Sequence, residues 1–374
     1  MKNKLQKPKV LYFMHVPWGW IKQRPHFLAE KLSQYFDLTV VDKRVIKFGA
    51  SKQLPTQKVE GISFLSFNAL PLYSPFKCSV IKLFDYINKL LLKAKISFND
   101  YDYIWVPSLL YYYKIKDLIP KNAKLIYDCM DDDLAFPRRL DKKLMQSVET
   151  ELLNKADLVF CSAENLKNVM LSRSGVQRVI HIVNNASTYP DMEASYLVNQ
   201  RFVFDSNSIS MVYIGTIATW FDFDNVVKLL DSKDSLHLYL IGPIDTEITI
   251  PNHHRIHVLG VCKHDEIWGI MKCADILIMP FQVTPLIESV NPVKLYEYIW
   301  SMKPIIATRY KESEKFSDYV YLYSSIDDLR SIIETIVDNK YLYNINNRES
   351  IKQFLTQNSW DNRMERVMEA MNRL

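Results

Sequence analysis

One segment near the C-terminus combines residue types that could bind a phosphorylated ligand. It reads Val290-Asn-Pro-Val-Lys-Leu-Tyr-Glu-Tyr-Ile-Trp-Ser-Met-Lys-Pro304. Asn291 is a favoured helix N-cap and Pro292 suits the first helical position, so the sequence predicts a helix over 292–302. The N-terminus of a helix has free N–H groups and a positive dipole end, and both favour a phosphate. We therefore expect a phosphate site at the start of this helix.

The first turn of the predicted helix also carries two charged side chains on one face. Lys294 and Glu297 are three residues apart, so they are neighbours on the helix surface. The amides of Val293 and Lys294 and the Lys294 ammonium would bind a diphosphate. Glu297, roughly 5 to 8 Å from the helix start at ~1.5 Å per residue, would accept hydrogen bonds from a ribose diol. The alternative is a solvated Lys294–Glu297 ion pair worth a few tenths of a kcal/mol.

Glycine is scarce, with eight in the chain, and its positions are informative. Gly19, Gly215, Gly242 and Gly260 each lie at or just beyond the C-terminal end of a predicted strand. In open parallel sheets this edge binds ligands, and glycine lets the backbone approach them closely. We expect a ligand site at this edge, with ordinary turn glycines as the alternative.

Short runs rich in Val, Ile, Tyr and Phe alternate with stretches of helical spacing, which is typical of parallel α/β sheets. Two sets are separated by a polar stretch at 184–208. Their members are 10–14, 38–41, 62–65, 103–106, 125–127, 158–160 and 179–183, then 211–214, 236–241, 256–259, 276–279, 305–307 and 319–322. The sequence therefore predicts an N-terminal domain over 1–190, a C-terminal domain over 205–357 and a final helix within 358–374.

Composition excludes several classes of protein. A net charge of +5 without an aromatic-basic repeat argues against nucleic acid as a partner. The five cysteines have neither metal-ligand spacing nor the density of a disulfide framework. No stretch approaches the ~20 apolar residues of a membrane span. We expect a cytoplasmic protein that is soluble or peripheral to the membrane.

The segment 255–308 resembles the donor-binding half of GT-B-fold glycosyltransferases of the group-one or family-four type. The shared order is Val258-Leu-Gly260, then 274–281, then the helix that contains Glu297, then Lys303-Pro-Ile-Ile-Ala-Thr308. Together with 18–26 and 127–132, these motifs make the chain similar to bacterial teichuronic-acid-type surface polysaccharide glycosyltransferases. In one departure, Ser289 stands where the family has its first glutamate.

The resemblance implies a fold and an activity. The fold would be α/β, with two facing Rossmann-like domains of GT-B type, an interdomain cleft and a C-terminal crossing helix. The activity would be transfer of a sugar, with retention and without a metal cofactor, from a nucleotide-diphosphate sugar to a hydroxyl of a surface glycan. A UDP-sugar donor and a lipid-linked acceptor are favoured. The donor site would include Gly215, Gly242, Pro243, Val261, Asn291, Pro292, Val293, Lys294 and Glu297.

Two other functions fit the same fold. A nucleotide-sugar epimerase or hydrolase would turn over the donor without an acceptor. A non-catalytic nucleotide-binding or glycan-binding subunit of a polysaccharide assembly complex would bind without turnover.

The first predicted strand is followed by a second group of candidates. Gly19 and Trp20 lie in an aromatic-glycine turn that could contact the donor sugar, and Arg24 and His26 could face the donor phosphates or the acceptor as catalytic groups. The alternative places Arg24 and His26 on a helix surface without a role.

Acidic residues follow the predicted strand 125–127. Asp131 and Asp132 could accept a hydrogen bond from the acceptor hydroxyl or act as its base. Two alternatives are a helix N-cap among solvated acids and a metal site through Asp131 and Asp133, although divalent metals usually need more oxygen ligands.

The stretch 76–96 is predicted to form a basic amphipathic helix with Lys82, Asp85, Lys89 and Lys93 on one face. Such a helix could contact the cytoplasmic face of the inner membrane near lipid-linked acceptors. It could equally pack on the N-terminal sheet.

Overall fold

The computed structural model describes residues 7–18, 22–45, 59–69, 79–136, 141–196, 198–338 and 348–374. The chain divides into two compact units. The first unit contains Met1–Asn184 and Trp360–Leu374, and the second contains Asn185–Ser359. Residues 185–190 and 358–359 thus belong to the second unit, whereas they are predicted to lie in the N-terminal domain and in the final helical segment.

The first unit is built on one parallel sheet. Its strands are β1 (Lys9–Met14), β2 (Asp37–Val45), β3 (Ile62–Ala69), β4 (Tyr103–Val106), β5 (Lys124–Cys129), β6 (Leu158–Cys161) and β7 (His181–Ile182). Its helices before residue 185 are α1 (Arg24–Leu32), α2 (Ser79–Lys95), α3 (Leu109–Ile115), α4 (Lys142–Lys155) and α5 (Glu164–Ser174). The strand order is β3-β2-β1-β4-β5-β6-β7. The order reverses between β1 and β4, and ligands bind beside such a reversal in open α/β sheets.

A second parallel sheet forms the other unit. Its strands are β8 (Ile209–Ile214), β9 (Leu236–Ile241), β10 (Ile256–Gly260), β11 (Ile276–Met279), β12 (Ile305–Thr308) and β13 (Tyr321–Tyr323). Its helices are α6 (Phe223–Ser232), α7 (Ile267–Cys273), α8 (Val293–Trp300), α9 (Ile326–Asp338) and α10 (Arg348–Gln357). The order β10-β9-β8-β11-β12-β13 reverses between β8 and β11. The residues after β8 are therefore at the position where a ligand is expected.

Continuous apolar runs explain why these strands lie inside the sheets. In β1, Val10 to Phe13 are completely buried, and in β11 Ile276 to Met279 are as well. Strands of a parallel sheet are covered on both faces, so they need apolar side chains at successive positions rather than at alternate ones. The prediction of an α/β chain with two parallel sheets is confirmed.

The last helix, α11 (Trp360–Met371), belongs to the first unit. Trp360 stacks on Phe27 of α1 with ring centroids 5.4 Å apart. Lys31 of α1 forms an ion pair with Asp361. These contacts explain why the C-terminal residues fold with the N-terminal sheet.

The predicted amphipathic helix corresponds to α2. Its described side chains include the buried Leu92 and Asn88, whereas Tyr86, Leu90 and Leu91 are exposed. Among the described residues, no helix combines the length and apolarity needed to span a membrane.

Candidate functional site

Two glycines lie side by side at the carboxyl ends of β8 and β9. Gly215 and Gly242 both have φ of +146°, a backbone conformation that favours glycine. A Cβ added at Gly242 would lie 2.0 Å from the carbonyl oxygen of Gly215, so glycine is required there by backbone packing. A Cβ at Gly215 would lie 2.1 Å from Cε of Lys294. The structure thus brings Gly215, Gly242 and Lys294 together at the edge where β8 ends.

The Lys294 ammonium lies in an apolar setting. Nζ is 5.3 Å from the ring centroid of Tyr213 and 5.6 Å from that of Phe281. The side chain is half-buried. Burial lowers the pKa of Lys294 to about 8, and the charge of Glu297 raises it in part. A cation that is poorly solvated in this way gains by binding an anion, because the anion supplies the interactions that water does not.

Glu297 lies one turn further along α8. Its Oε1 is 3.0 Å from Nε2 of His264 and 3.5 Å from Oγ of Ser187. His264 lies in the loop between β10 and α7, and its ring meets Trp268 edge-on at 5.8 Å. The other carboxylate oxygen, Oε2, accepts no hydrogen bond from the residues that the structure describes.

The start of α8 differs from the predicted one. The helix begins at Val293, with Pro292 as its N-cap residue and no side-chain cap. Asn291 does not cap because its Oδ1 accepts from the Asn185 amide (2.9 Å), while the Asn185 side chain donates to the Asn291 carbonyl (2.8 Å). Nδ2 of Asn291 donates to Glu312 at 3.2 Å. The predicted cap is wrong. Buried Asn291 instead holds the segment around Asn185 against α8.

A tyrosine fixes α8 relative to the sheet. The hydroxyl of buried Tyr298 accepts from the Ile214 amide at 2.9 Å, at the end of β8. Since Ile214 precedes Gly215, this contact sets the distance between the glycine turn and the first turn of α8. The backbone N–H groups of Val293 and Lys294 lie in that first turn, where no intrahelical acceptor exists.

Two predicted donor-site residues lie at neighbouring strand ends. The Pro243 carbonyl accepts from the Ile217 amide at 2.9 Å. Val261 follows β10 with half of its surface exposed, 50%, and its carbonyl accepts from the Arg201 guanidinium. Direct ligand contact by these two residues stays a prediction.

Glu288 directly precedes Ser289, which stands at the first-glutamate position of the resembled family. Glu288 lies in a short 3-10 helix, Ile287–Ser289. Its Oε2 is buried and, within the part of the chain that the structure describes, has no hydrogen-bond partner. Ser289 is buried.

Arg24 is buried in the first unit, contrary to the expectation that it faces a ligand. Its Nη2 forms an ion pair with Asp128 at 2.7 Å, and its Nη1 donates to the Val183 carbonyl at 2.6 Å. The guanidinium therefore connects the start of α1 to β5 and to the segment after β7. A buried charge needs such partners, so these contacts stabilise the first unit, and a catalytic role of Arg24 stays a prediction.

His26 is also buried, and it binds the local backbone. Its Nδ1 accepts from the Gln23 amide at 3.1 Å, and Nε2 lies 3.3 Å from the Pro17 carbonyl. Since a carbonyl only accepts, Nε2 carries the proton. Burial lowers the pKa of His26. The ring thus closes a capping box for α1, which sequence reasoning did not foresee.

Asp132 belongs to a buried ion network. Arg173 contacts both oxygens of Asp132, at 2.9 and 3.0 Å, and both oxygens of Glu149, at 2.7 and 2.8 Å. Asp132 is 4% exposed, so it does not face solvent as a base would. Asp131 is half-buried, and its proposed contact with an acceptor stays a prediction.

The predictions for Gly19, for Trp20 and for metal independence remain untested. Gly19 and Trp20 lie outside the described residues. No group of three or more His, Cys, Asp or Glu side chains suited to a metal ion occurs in the described ranges. The expectation of metal independence stays a prediction.

Sequence reasoning missed His264 and Ser187. His264 follows β10 at the same sheet edge as the glycines, so the rule that ligands bind there could have found it. Ser187 lies within the polar stretch at 184–208 that separates the two predicted sets of strands, and no sequence pattern marks it.

Comparison with known proteins supports the fold. No family model matches the chain. The chain is 26% identical over 215 residues to a protein provisionally named the teichuronic acid biosynthesis glycosyltransferase TuaH, from Bacillus subtilis (strain 168). The match covers 54% of this chain and 54% of that protein, so the chain spans about half the length of this relative.

Solved structures match over almost the whole chain. Sucrose-phosphate synthase from Thermosynechococcus elongatus has a TM-score of 0.74 at 10% identity, covering 98% of this chain and 99% of that chain. The α,α-trehalose 6-phosphate synthase of Burkholderia multivorans has a TM-score of 0.70 at 9% identity, covering 98% of both chains. Anabaena Alr3699/HepE in complex with UDP-glucose has a TM-score of 0.66 at 13% identity, and the match covers 98% of this chain and 100% of that chain. The chain therefore has the two-sheet α/β fold of the GT-B glycosyltransferases.

Proposed function

We propose that the chain is a glycosyltransferase that moves a sugar from a nucleoside-diphosphate sugar to a hydroxyl of an acceptor glycan. The observation that carries this proposal is the setting of Lys294, a half-buried amine beside the glycine ends of β8 and β9. Glu297 follows on the same helix face. A cation and a carboxylate one helical turn apart match a diphosphate joined to a ribose diol.

The chemistry follows from charge. When the bond between the sugar and the diphosphate breaks, negative charge develops on the departing phosphate oxygen. In the proposed complex, the Lys294 ammonium and the first amides of α8 face that charge, and groups that are held in place before the reaction stabilise it without reorganisation. The dipole of α8 acts in the same direction. Retention at the anomeric carbon is part of the proposal and rests on the family resemblance.

A UDP-sugar is the proposed donor. HepE, which shares the fold, binds UDP-glucose in its crystal structure. The relative in Bacillus subtilis is named for teichuronic acid biosynthesis. We propose a surface glycan, linked to a lipid, as the acceptor.

The proposed place of action is the cytoplasmic face of the membrane. Helix α2 exposes Tyr86, at 60%, and Leu90, at 48%, next to the basic side chain of Lys93. Exposed aromatic and aliphatic side chains with lysines suit the interface of an anionic bilayer. Lys89 pairs with Asp117 at 2.5 Å, so it contributes less to this surface.

Calorimetric titration with UDP, GDP, TDP and CMP tests the donor site. We expect one nucleoside diphosphate to bind the wild type and to bind Glu297→Gln about 10- to 100-fold more weakly, as for a lost charged hydrogen bond. The matched control is Glu314→Gln, an exposed glutamate of the same unit. Equal binding by Glu297→Gln would contradict the proposal.

Turnover of the sugar conjugate then separates the activities. A transferase consumes the donor only when the acceptor is present. Equal consumption without an acceptor would indicate an epimerase or a hydrolase, and binding without consumption would indicate a binding subunit.

A further inference from the structure

Within the described residues, Glu297 is held at the proposed donor site through one of its two carboxylate oxygens. Its Oε1 faces His264 Nε2 at 3.0 Å and Ser187 Oγ at 3.5 Å. Oε2 accepts no hydrogen bond from the described residues, and the Glu297 side chain is 14% exposed. One oxygen is therefore fixed by the protein while the other keeps its acceptor positions.

The protonation of His264 at this contact is set by its partner. A glutamate carboxylate can only accept a hydrogen bond, so the proton of the contact lies on Nε2 of His264. The neutral ring then has a fixed tautomer, and the charged ring adds an ionic attraction. In both cases Nε2 donates to Oε1.

The elements around His264 hold its ring in place. The amide of Lys263 donates to Glu266 at 2.7 Å, which closes the turn that contains His264. Trp268, the first aromatic residue of α7, meets the ring edge-on at 5.8 Å. Trp268 in turn packs on Trp300 of α8 with centroids 4.9 Å apart. The histidine and the glutamate are thus connected twice, by a hydrogen bond and by a packed tryptophan pair.

Ser187, the second contact of this carboxylate, lies near Asn358. Its amide donates to the Asn358 carbonyl at 3.4 Å, so it lies where the chain enters and leaves the second unit. Ser187 is completely buried. Its hydroxyl contacts the same carboxylate oxygen, Oε1, that His264 contacts.

We infer that His264 is a positioning residue for the nucleotide: it fixes Oε1 of Glu297, with Ser187 as a second contact, so that Oε2 accepts a hydroxyl of the ligand ribose. This inference rests on the proposed function. It assigns a role to a residue that does not itself touch the reacting atoms. A carboxylate that is already oriented loses less side-chain freedom when it binds, so the affinity for a ribose diol is higher.

The experiment compares UDP with 2′,3′-dideoxy-UDP by calorimetric titration. The variants are His264→Ala, His264→Gln, Ser187→Ala and Glu297→Gln, with exposed His254→Ala of the same unit as the control. We expect His264→Ala to bind UDP about tenfold more weakly than the wild type, which is ~1.4 kcal/mol. Glutamine should restore part of this loss, because its amide still donates a hydrogen bond.

The dideoxy nucleotide separates positioning from general packing. If His264 acts through Glu297 on the ribose, His264→Ala and the wild type bind the dideoxy nucleotide equally. Adding His264→Ala to Glu297→Gln should then cause little further loss of UDP affinity, because the two side chains act on one contact. Thermal unfolding of each variant close to that of His254→Ala shows that the fold is retained.

Three results would overturn the inference, and they are distinguishable. If the wild type binds no nucleoside diphosphate, the proposed function fails and the inference fails with it. If the wild type and Glu297→Gln behave as proposed but His264→Ala binds UDP like the wild type, the inference alone fails. Equal losses with UDP and the dideoxy nucleotide would show that His264 only supports the fold.

Discussion

Replacing Lys294 by methionine should stabilise the ligand-free protein and remove its affinity for a nucleoside diphosphate. Burial lowers the pKa of Lys294 from 10.5 to about 8. At ~1.4 kcal/mol per pH unit, this difference is roughly 3 kcal/mol of destabilisation of the charged form. Partial solvent access reduces that figure, and cation–π contacts with Tyr213 and Phe281 offset about 1 kcal/mol of it. Methionine, which keeps most of the apolar stem, should therefore raise the free energy of unfolding by about 1–2 kcal/mol at neutral pH.

The pH dependence provides a second measure of the same effect. The pKa of Lys294 is lower in the folded protein than the unfolded value of 10.5. As pH rises, the folded protein loses this proton first, so between about pH 8 and pH 10.5 the unfolded chain binds more protons and stability increases. The Lys294→Met variant lacks this contribution. Binding of a diphosphate should likewise weaken in the wild type above about pH 8, where the amine is neutral.

Urea denaturation of the ligand-free protein at neutral pH and at about pH 9.5 measures the stability, and calorimetric titration with UDP measures the affinity. Lys228→Met, an exposed lysine on α6, is the matched control and should change neither quantity. A loss of more than about 1 kcal/mol in Lys294→Met would refute the reasoning. It would show that Lys294 stabilises the fold instead of being held ready for an anion.

Four other substitutions test the packing that positions the site and the ion pairs of the first unit. Gly242→Ala should destabilise the protein more than Gly215→Ala, because the added Cβ would meet a carbonyl oxygen at 2.0 Å in the first case and a flexible lysine at 2.1 Å in the second; thermal unfolding of both variants checks the order. Arg173→Met should cost about 3–5 kcal/mol in urea denaturation at neutral pH, because it leaves two buried carboxylates uncompensated, and less at acidic pH. Arg24→Met should destabilise by a similar amount, ~3–5 kcal/mol, since Asp128 would lose its partner.

The controls for these variants are built into the chain. Gly175 has φ of +69° but no atom within 4 Å of an added Cβ, so Gly175→Ala isolates the cost of backbone strain from that of a clash. Arg330 of α9 forms an ion pair with Asp327 that is mostly exposed, and Arg330→Met should change stability by less than about 1 kcal/mol. Equal losses for Arg330→Met and Arg173→Met would contradict the distinction between buried and exposed pairs.

The local elements of this protein are predictable from its amino-acid sequence. Apolar runs such as 236–241 and 276–279 predict β9 and β11 with the bounds that the structure has. Because Gly215 and Gly242 directly follow predicted strands, the sequence predicts that both lie at the carboxyl edge of the sheet. The spacing of Lys294 and Glu297 placed both on one face of α8. These features depend on neighbours within a few residues, and such information is present in a linear pattern.

The partners of the polar side chains, in contrast, depend on how the elements pack in three dimensions. Glu297 contacts His264, 33 residues earlier, and Arg24 pairs with Asp128, 104 residues later. Asn291 has the residue type of an N-cap, but its side chain accepts a hydrogen bond from the Asn185 amide instead. Each choice follows from burial, because a buried polar group must find a partner wherever the fold supplies one. A linear sequence contains the groups that need partners, but the packing of sheets and helices determines which of them meet.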